Sequence, residues 1–276
     1  MKRNIILLFT LALAASLMIG AVSAEGMLDF LNENTKVTND DNTFVVGFSG
    51  EFPPFGYKND NGQYVGFDLD LAKEVAKRNN WTFKAQPIIS WDTKDVDLNS
   101  GSVDCIWSEF TIDGRENNYT WSKPYFNNSQ VVIVRSDSNI TSLDDLKGKV
   151  VETEISSSAL DAINNNQTLK DSIAKINVLN DFNSIFMDLE SGVCDAVIVD
   201  YGCAKYHFAQ KYQNGTFNII DQPLQYEKYG VAFKKGNDGL KNQVQKTLDE
   251  MFKDGTVDKI AQNYSDCDIP QGLIRP

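Results

Sequence analysis

The chain contains a single histidine, His207, among its 276 residues. A Ser-His-Asp triad or an HExxH zinc site needs histidine at a defined spacing from its partners, and neither pattern occurs here. His207 falls in a helix-like stretch and is expected to be a half-exposed surface residue without a chemical role. The sequence therefore predicts no catalytic residue, no metal site and no cofactor.

Basic residues are also scarce. The 26 lysines and arginines are outnumbered by 38 aspartates and glutamates, which gives a formal net charge of −12. A surface this acidic repels phosphate backbones and argues against a nucleic-acid partner. Apolar residues make up 42% and charged residues 23% of the chain, as in packed globular proteins. The length allows one large domain or two of roughly 100–130 residues each.

The four cysteines form no CxxC pair, so neither a zinc site nor a redox motif is indicated. Two of them, Cys105 and Cys194, lie in apolar, strand-like runs. We expect buried free thiols that pack as small hydrophobic residues. Export from the cytoplasm would permit disulfides, and the sequence leaves open the disulfide state of Cys105, Cys194, Cys203 and Cys267.

Long apolar runs are confined to the N-terminus. A short basic region, Met1-Lys2-Arg3, precedes an apolar stretch over residues 5–19, and Val22-Ser23-Ala24 has the small-x-small pattern of a signal-peptidase site. We expect residues 1–24 to be a signal peptide and residues 25–42 a linker, so that the mature protein is periplasmic, surface-bound or secreted. The alternative is an uncleaved membrane anchor, because the stretch approaches the ~20 residues that span a bilayer.

From Thr43 onward, strand-like and helix-like segments alternate, which predicts an α/β fold with parallel strands covered by helices. Ligands bind such sheets at the carboxyl ends of the strands. The candidate site therefore lies in the loops that follow four predicted strands, which end near Phe48, Trp107, Val151 and Val199.

The polar groups in these loops suit a zwitterion. One loop carries hydroxyls and Arg115, and another carries three serines, residues 156–158, directly before a predicted helix. An arginine and a serine-rich helix start both suit a carboxylate. Asp200, at the end of a predicted strand, suits an ammonium group. These loops predict a receptor for a zwitterionic small molecule.

Nine sequence motifs lie in order between about Asn42 and Tyr264. They are Pro53-Pro54-Phe55, Gly62-x-x-x-Gly66-Phe67-Asp68-Leu69-Asp70-Leu71-Ala72, Ser100-Gly101-Ser102-Val103-Asp104, Thr111-Ile112 with Arg115, Trp121-Ser122-x-Pro124-Tyr125, Leu143-x-Asp145-Leu146-Lys147-Gly148-Lys149-Val150, Asp195-Ala196-Val197-Ile198-Val199-Asp200, Tyr229-Gly230-Val231-Ala232-Phe233 and Asp254-Gly255-Thr256-Val257-Asp258-Lys259-Ile260. Asp68, within the second motif, is predicted to be the N-cap of a helix that ends near Arg78. In their order and spacing, the nine motifs resemble those of the family 3 extracellular solute-binding proteins, the amino-acid receptors of ATP-driven importers.

The resemblance implies a two-lobed α/β fold of the type II periplasmic-binding class, in which each lobe is a mainly parallel sheet flanked by helices. Residues 43–130 and 227–276 are expected to form lobe 1 and residues 131–226 lobe 2, with two strands crossing between them as hinges. A bound ligand closes such lobes. The resemblance also implies a free amino acid as ligand, the membrane permease of an ABC importer as partner, and a monomer.

The family's ligand contacts can be carried over to matching positions. Asp200 is expected to bind the α-ammonium group, and Phe52 and Trp91 to form walls along the ligand side chain. The α-carboxylate is expected to contact Arg115 and four hydroxyl or backbone neighbours, Ser108, Thr111, Ser157 and Ser158.

Two departures from the family pattern affect this geometry. The loop that ends at Arg115 is one residue shorter than the usual T-x-T-P-E-R, so the arginine must reach from a slightly different backbone position. Ser156 stands where a glycine is usual before the paired hydroxyls.

Glu109 and Glu154 are expected to set the side-chain preference. A buried carboxylate without a partner is unfavourable, so acids in a closed cleft predict a cationic amino acid such as arginine, lysine or ornithine. Glutamine and cystine remain alternatives, as does a solvent-facing position for both glutamates. Two other function classes stay open: a cyclohexadienyl or arogenate dehydratase-like enzyme, with one of these glutamates as general acid, and a sensory ectodomain.

Overall fold

The computed structural model describes residues 42–180, 182–210, 212 and 215–275. The predicted signal peptide and nearly all of the predicted linker lie outside these ranges. Within them, no helix combines the length and the apolar character that crossing a bilayer requires.

The first sheet is built around β1 (Thr43–Ser49), whose first six residues are buried. This strand pairs in parallel with β5 (Thr82–Ile88) on one side and with β6 (Cys105–Ile106) on the other. β14 (Ala232–Phe233) pairs antiparallel with β6, and β7 (Thr120–Trp121) pairs antiparallel with β14, so the order is β5-β1-β6-β14-β7. A run of apolar residues such as that of β1 is expected for a strand covered on both faces.

A small antiparallel sheet follows β1 in the chain and consists of β2 (Glu51–Phe52), β3 (Gly56–Lys58) and β4 (Tyr64–Val65). The second large sheet has the order β10-β9-β11-β8-β12, and β13 also pairs with β8. Its strands are β8 (Phe126–Arg135), β9 (Val150–Glu154), β10 (Lys175–Leu179), β11 (Ala196–Asp200), β12 (Phe217–Ile219) and β13 (Gln225–Tyr229).

Helices pack against both large sheets. A 3-10 turn at Trp91–Thr93 precedes the second helix, and two further 3-10 turns are Leu143–Leu146 and Ser265–Cys267. The α-helices are α1 (Phe67–Arg78), α2 (Lys94–Ser100), α3 (Ser158–Asn165), α4 (Gln167–Ser172), α5 (Phe182–Ser191), α6 (Tyr201–Gln210), α7 (Asp238–Lys253), α8 (Thr256–Gln262) and α9 (Ile269–Gly272).

Two strands carry the chain between the sheets. β8 follows β7 and enters the second sheet, and β13 returns the chain to β14 of the first sheet. They pair antiparallel with Glu227 opposite Asn128. The C-terminal segment closes over this crossing, since the N–H of Ile274 donates to the carbonyl of Tyr125. The structure is therefore an α/β protein with two lobes joined by two hinge strands. Both sheets are mixed: in each, parallel pairings join three neighbouring strands, and the remaining pairings are antiparallel.

The predicted character of the cysteines is confirmed: all four are buried and free. The predicted exposure of His207 is wrong, because this residue is 1% exposed. Its helix, α6, packs on the second sheet, and the Phe186 ring stacks on the imidazole with 4.0 Å between ring centroids. A polar residue in a helix-like stretch does not by itself reveal that its helix is covered by neighbouring elements.

Candidate ligand-binding site

The loops at the carboxyl ends of β1, β6, β9 and β11 meet at one cleft between the lobes. The loop positions predicted from the strand pattern are therefore the ones that the structure brings together. All of the predicted site residues except Ser108 line the cleft, and one further aromatic residue joins them. The lining consists of Phe52, Trp91, Glu109, Phe110, Thr111, Arg115, Glu154, Ser157, Ser158 and Asp200.

The cleft is narrow. Its empty volume is about 300 Å³, which includes a part open to solvent. Small-molecule sites usually have volumes of about 300–1,000 Å³. The lining residues of the two lobes thus lie close together around the site.

Ser108 lies behind the lining and supports it. Its hydroxyl lies 2.7 and 2.8 Å from the two carboxylate oxygens of Glu109 and accepts the backbone N–H of Ser49 at 2.8 Å. Ser108 is fully buried. It therefore holds the Glu109 side chain against the end of β1.

Asp68 fixes the backbone of Glu109. The helix α1 begins at Phe67 without a side-chain cap, so the prediction of Asp68 as its N-cap is wrong. The carboxylate turns inward instead, where it accepts the N–H of Glu109 at 2.6 Å and the hydroxyl of Tyr125 at 2.8 Å. Glu109 has a φ of +40°, in the left-handed region that non-glycine residues rarely adopt, and this hydrogen bond helps to hold it there. Burial raises the pKa of Asp68 to about 7.

The glutamates of the cleft are in an environment that disfavours negative charge. Burial, followed by the proximity of Asp68, raises the pKa of Glu109 well above its usual value. Burial and then the charge of Asp200 raise the pKa of Glu154 to about 8, while Lys94 acts in the opposite direction. A positive guest beside these groups would favour their ionised forms.

Arg115 reaches the cleft despite its shortened loop. Its side chain is 13% exposed, and its Nη2 lies 2.6 Å from an Asp161 carboxylate oxygen on α3 of the second lobe. The guanidinium carbon lies 5.6 Å from the centroid of the Phe110 ring. The arginine of the first lobe thus spans the cleft and forms an ion pair with the second lobe.

The serines after β9 have different roles. Ser157 is the N-cap of α3, where its hydroxyl accepts the N–H of Leu160 at 3.1 Å and donates to the carbonyl of Glu154 at 2.7 Å. Ser158 donates its hydroxyl to Glu227 at 3.1 Å. Ser156 has a φ of +56°, so the turn does require the left-handed conformation that a glycine would adopt more easily.

Asp200 stands at the end of β11 and is buried. Its carboxylate accepts the side-chain N–H of Asn128 at 2.5 Å and the hydroxyl of Tyr229. Burial, followed by the negative charge of Glu227, raises the pKa of Asp200. Asp200 is therefore a further acceptor that a cation would stabilise.

Aromatic rings form one wall of the cleft. The Trp91 ring meets the Phe110 ring edge to face, with 5.4 Å between centroids, and Phe52 is buried nearby. Behind Trp91, the Lys94 Nζ lies 5.3 Å from the indole centroid and donates to the Trp91 carbonyl at 3.2 Å. Burial lowers the pKa of Lys94.

Sequence reasoning missed four residues that shape the site: Asp68, Lys94, Phe110 and Glu227. For Glu227 a signal existed, because it stands two residues before the buried Tyr229 in a strand and so faces the same side. Neither Asp68 nor Lys94 carries a comparable local signal. Among the described residues, no cluster of three or more His, Cys, Asp or Glu side chains is suited to a metal ion.

The two lobes, the hinge strands and the cleft between them are those of a bacterial extracellular solute-binding protein of family 3. The chain belongs to this family, whose model matches residues 44–266.

Individual relatives support the same classification. The L-cystine-binding protein TcyJ of Escherichia coli is 28% identical over 263 residues, which are 94% of this chain and 93% of the relative. An ancestral arginine-binding protein solved with arginine superposes with a TM-score of 0.75 at 36% identity, covering 81% of this chain and 98% of that one. A substrate-binding protein of an ABC uptake transporter from Streptococcus pneumoniae, solved with histidine, gives a TM-score of 0.78 at 27% identity, with 88% and 96% coverage. The predicted two-lobed periplasmic-binding fold is confirmed.

Proposed function

We propose that this protein is the extracytoplasmic receptor of an ABC importer and that it binds a cationic amino acid, arginine or lysine. The observation that carries the proposal is the balance of charge in the cleft. Three carboxyl groups, those of Glu109, Glu154 and Asp200, line a narrow site in which Arg115 is the one cation among the described lining residues.

Each group of an α-amino acid has a partner in this arrangement. Arg115 is suited to the α-carboxylate, because its guanidinium can donate two parallel hydrogen bonds. Asp200, at the end of β11 in the second sheet, is suited to the α-ammonium. These two pairings neutralise the backbone of a zwitterion and leave Glu109 and Glu154 for the side chain.

A neutral side chain would leave both glutamates desolvated, either as unpaired anions or as protonated acids. A guanidinium or ammonium group instead gains charge-assisted hydrogen bonds to them. The raised pKa values of both groups support this reasoning, since burial and then neighbouring carboxylates disfavour their ionised forms, and a cation beside them would favour those forms. Lys94 lies close enough to Glu154 to offset part of this deficit.

The relatives support an α-amino acid as the ligand but do not indicate which side chain it carries. By their names they bind cystine, arginine and histidine, all of them α-amino acids. A membrane permease as partner, export directed by residues 1–24 and a monomeric state belong to the same proposal.

Isothermal titration calorimetry with L-arginine, L-lysine, L-glutamine and L-cystine tests the ligand. We expect arginine or lysine to bind at least tenfold more tightly than glutamine, a difference of about 1.4 kcal/mol. Tighter binding of glutamine or cystine would contradict the proposed cation preference.

The double variant Glu109→Gln/Glu154→Gln tests the residues behind the preference. We expect the ratio of arginine to glutamine affinity to fall below about threefold, because no ionised acceptor remains for the side chain. Glu190→Gln, an exposed position on α5, is the matched control and should keep the wild-type ratio. An unchanged ratio in the double variant would assign the selectivity to other residues.

The dehydratase alternative has one observation in its favour, since the pKa of Glu154 near 8 would keep a general acid protonated at neutral pH. The family and the relatives compared are named as binding proteins. We expect no aromatic product when the protein is incubated with prephenate or arogenate, and catalytic turnover of either compound would reverse the assignment.

A further inference from the structure

The buried carboxylate of Glu227, on the hinge strand β13, accepts hydrogen bonds from side chains on several elements of the fold. Glu227 is 3% exposed. Its Oε1 accepts four side-chain hydrogen bonds, from Thr111 Oγ1 at 3.0 Å, Ser158 Oγ at 3.1 Å, Asn128 Nδ2 at 2.8 Å and Gln130 Nε2 at 2.9 Å.

These donors come from both lobes and from the hinge. Thr111 belongs to the loop after β6 in the first lobe, and Ser158 begins α3 in the second lobe. Asn128 lies on the other hinge strand, opposite Glu227, and donates to Asp200 as well. Glu227 Oε1 therefore contacts two residues of the cleft lining directly, Thr111 and Ser158. The side-chain amide of Asn128 links it to a third, Asp200.

The hydrogen bonds to Glu227 decide what the two hydroxyls can offer a guest. A serine or threonine hydroxyl has one hydrogen and two acceptor lone pairs. Because Thr111 and Ser158 both donate their hydrogen to Glu227, they present acceptors to the cleft. Ser158 already accepts from Gln130 at 2.9 Å, which leaves it one lone pair. Acceptors are suited to the N–H groups of an ammonium, whereas a carboxylate needs donors.

We propose that Glu227 is a positioning residue of the binding site. It turns the hydroxyls of Thr111 and Ser158 into acceptors for the ligand's α-ammonium group, beside Asp200, and it joins one contact from each lobe at the hinge. This inference rests on the proposed function in requiring an α-amino acid in the cleft, and it holds for any side chain.

The role of Glu227 can be separated from simple stabilisation with three variants. Glu227→Ala removes the acceptor, and Glu227→Gln keeps one acceptor oxygen in nearly the same shape. Glu152→Ala is the matched control, because Glu152 is also a buried glutamate of the second sheet, 1% exposed and bonded to Asn177 at 2.7 Å, and it does not line the cleft.

Calorimetry with L-arginine and with L-glutamine gives the readout. We expect Glu227→Ala to weaken binding at least thirtyfold, Glu227→Gln to restore it to within about fivefold of wild type, and Glu152→Ala to stay within about threefold even where its melting temperature falls. Equal losses for Glu227→Ala and Glu152→Ala would show a general loss of stability and overturn the proposal.

A double-mutant cycle tests whether Glu227 acts through Thr111. Thr111→Val should weaken binding about tenfold in the wild type and less than threefold in the Glu227→Ala background, because the hydroxyl is no longer oriented there. Additive effects would overturn the positioning role.

The choice of two probes separates this inference from the ligand proposal. A wild-type protein that binds glutamine and not arginine refutes the cation preference, while the variants still test Glu227 with glutamine. A wild-type protein that binds none of the four α-amino acids tested, L-arginine, L-lysine, L-glutamine and L-cystine, overturns both proposals.

Discussion

At the scale of single residues, function depends on which charges the fold leaves available to a guest. Asp200 and Glu109 are held by neighbouring donors, and both are buried. Arg115 is engaged differently, because its partner Asp161 is 56% exposed. Exposed ion pairs contribute only about 0–1 kcal/mol, so a carboxylate guest can compete for this guanidinium at little cost.

Arg115→Ala should therefore abolish amino-acid binding and leave the fold intact. Losing a charge-assisted pair whose partner remains desolvated costs about 2–5 kcal/mol, which corresponds to a loss in affinity of at least about thirtyfold. Calorimetry with L-arginine measures the loss, and circular dichroism checks the fold.

Asp161→Ala is the control for this prediction. It removes the same ion pair and keeps the guanidinium, so affinity should stay within about threefold of wild type. If Arg115→Ala binds L-arginine as tightly as Asp161→Ala does, Arg115 does not contact the ligand.

At the scale of secondary-structure elements, the sequence predicts the positions of the site loops better than their contacts. Apolar runs mark β1, β9 and β11, and the residues that follow them do line the cleft. The strand predicted from Val103 to Trp107 shortens to β6, Cys105–Ile106, because only this part pairs with its neighbours.

Local patterns could not predict the partners of the inward-facing acids. Asp68 bonds the backbone of Glu109, 41 residues away, and Glu227 bonds Thr111, 116 residues away. Both contacts depend on how the sheets and hinge strands come together in space. The N-cap prediction for Asp68 used only its neighbours in the sequence, whereas its hydrogen-bond partners, Glu109 and Tyr125, lie far away in the chain.

At the scale of the whole molecule, the buried acids in and behind the cleft affect stability. Each of these groups keeps its proton to a higher pH in the folded protein than in the unfolded chain. Burial is the main cause for both Asp68 and Glu154, whose pKa values rise to about 7 and about 8.

The free energy of unfolding should consequently fall as the pH rises from about 4 to about 8. The unfolded chain loses these protons near pH 4, the folded chain holds them to about pH 7 or 8, and so unfolding releases protons across this interval. Each group lowers the free energy of unfolding by on the order of 1 kcal/mol per pH unit over the interval in which it is protonated in the folded protein and ionised in the unfolded chain. Thermal melts of the ligand-free protein between pH 5 and pH 8.5 measure the trend.

The variant Glu154→Gln should show a shallower decline over the same interval, since it lacks one of the titrating groups. Asp254, whose pKa the bond to Arg78 lowers to about 2, titrates below this window and does not disturb the comparison. A melting temperature that rises from pH 5 to pH 8 would contradict the assignment of protonated acids to the cleft.

The central claim, that the cleft selects a positively charged amino acid, is tested most directly by comparing the binding of L-arginine and L-citrulline by calorimetry at neutral pH. The two ligands share the α-amino and α-carboxylate groups and have nearly the same shape, but a neutral urea replaces the guanidinium in citrulline. If Glu109 and Glu154 contact the end of the side chain as proposed, arginine should bind at least tenfold more tightly. Citrulline affinity within a factor of about three of that for arginine would contradict the claim, because charge would then not determine which ligand the cleft accepts.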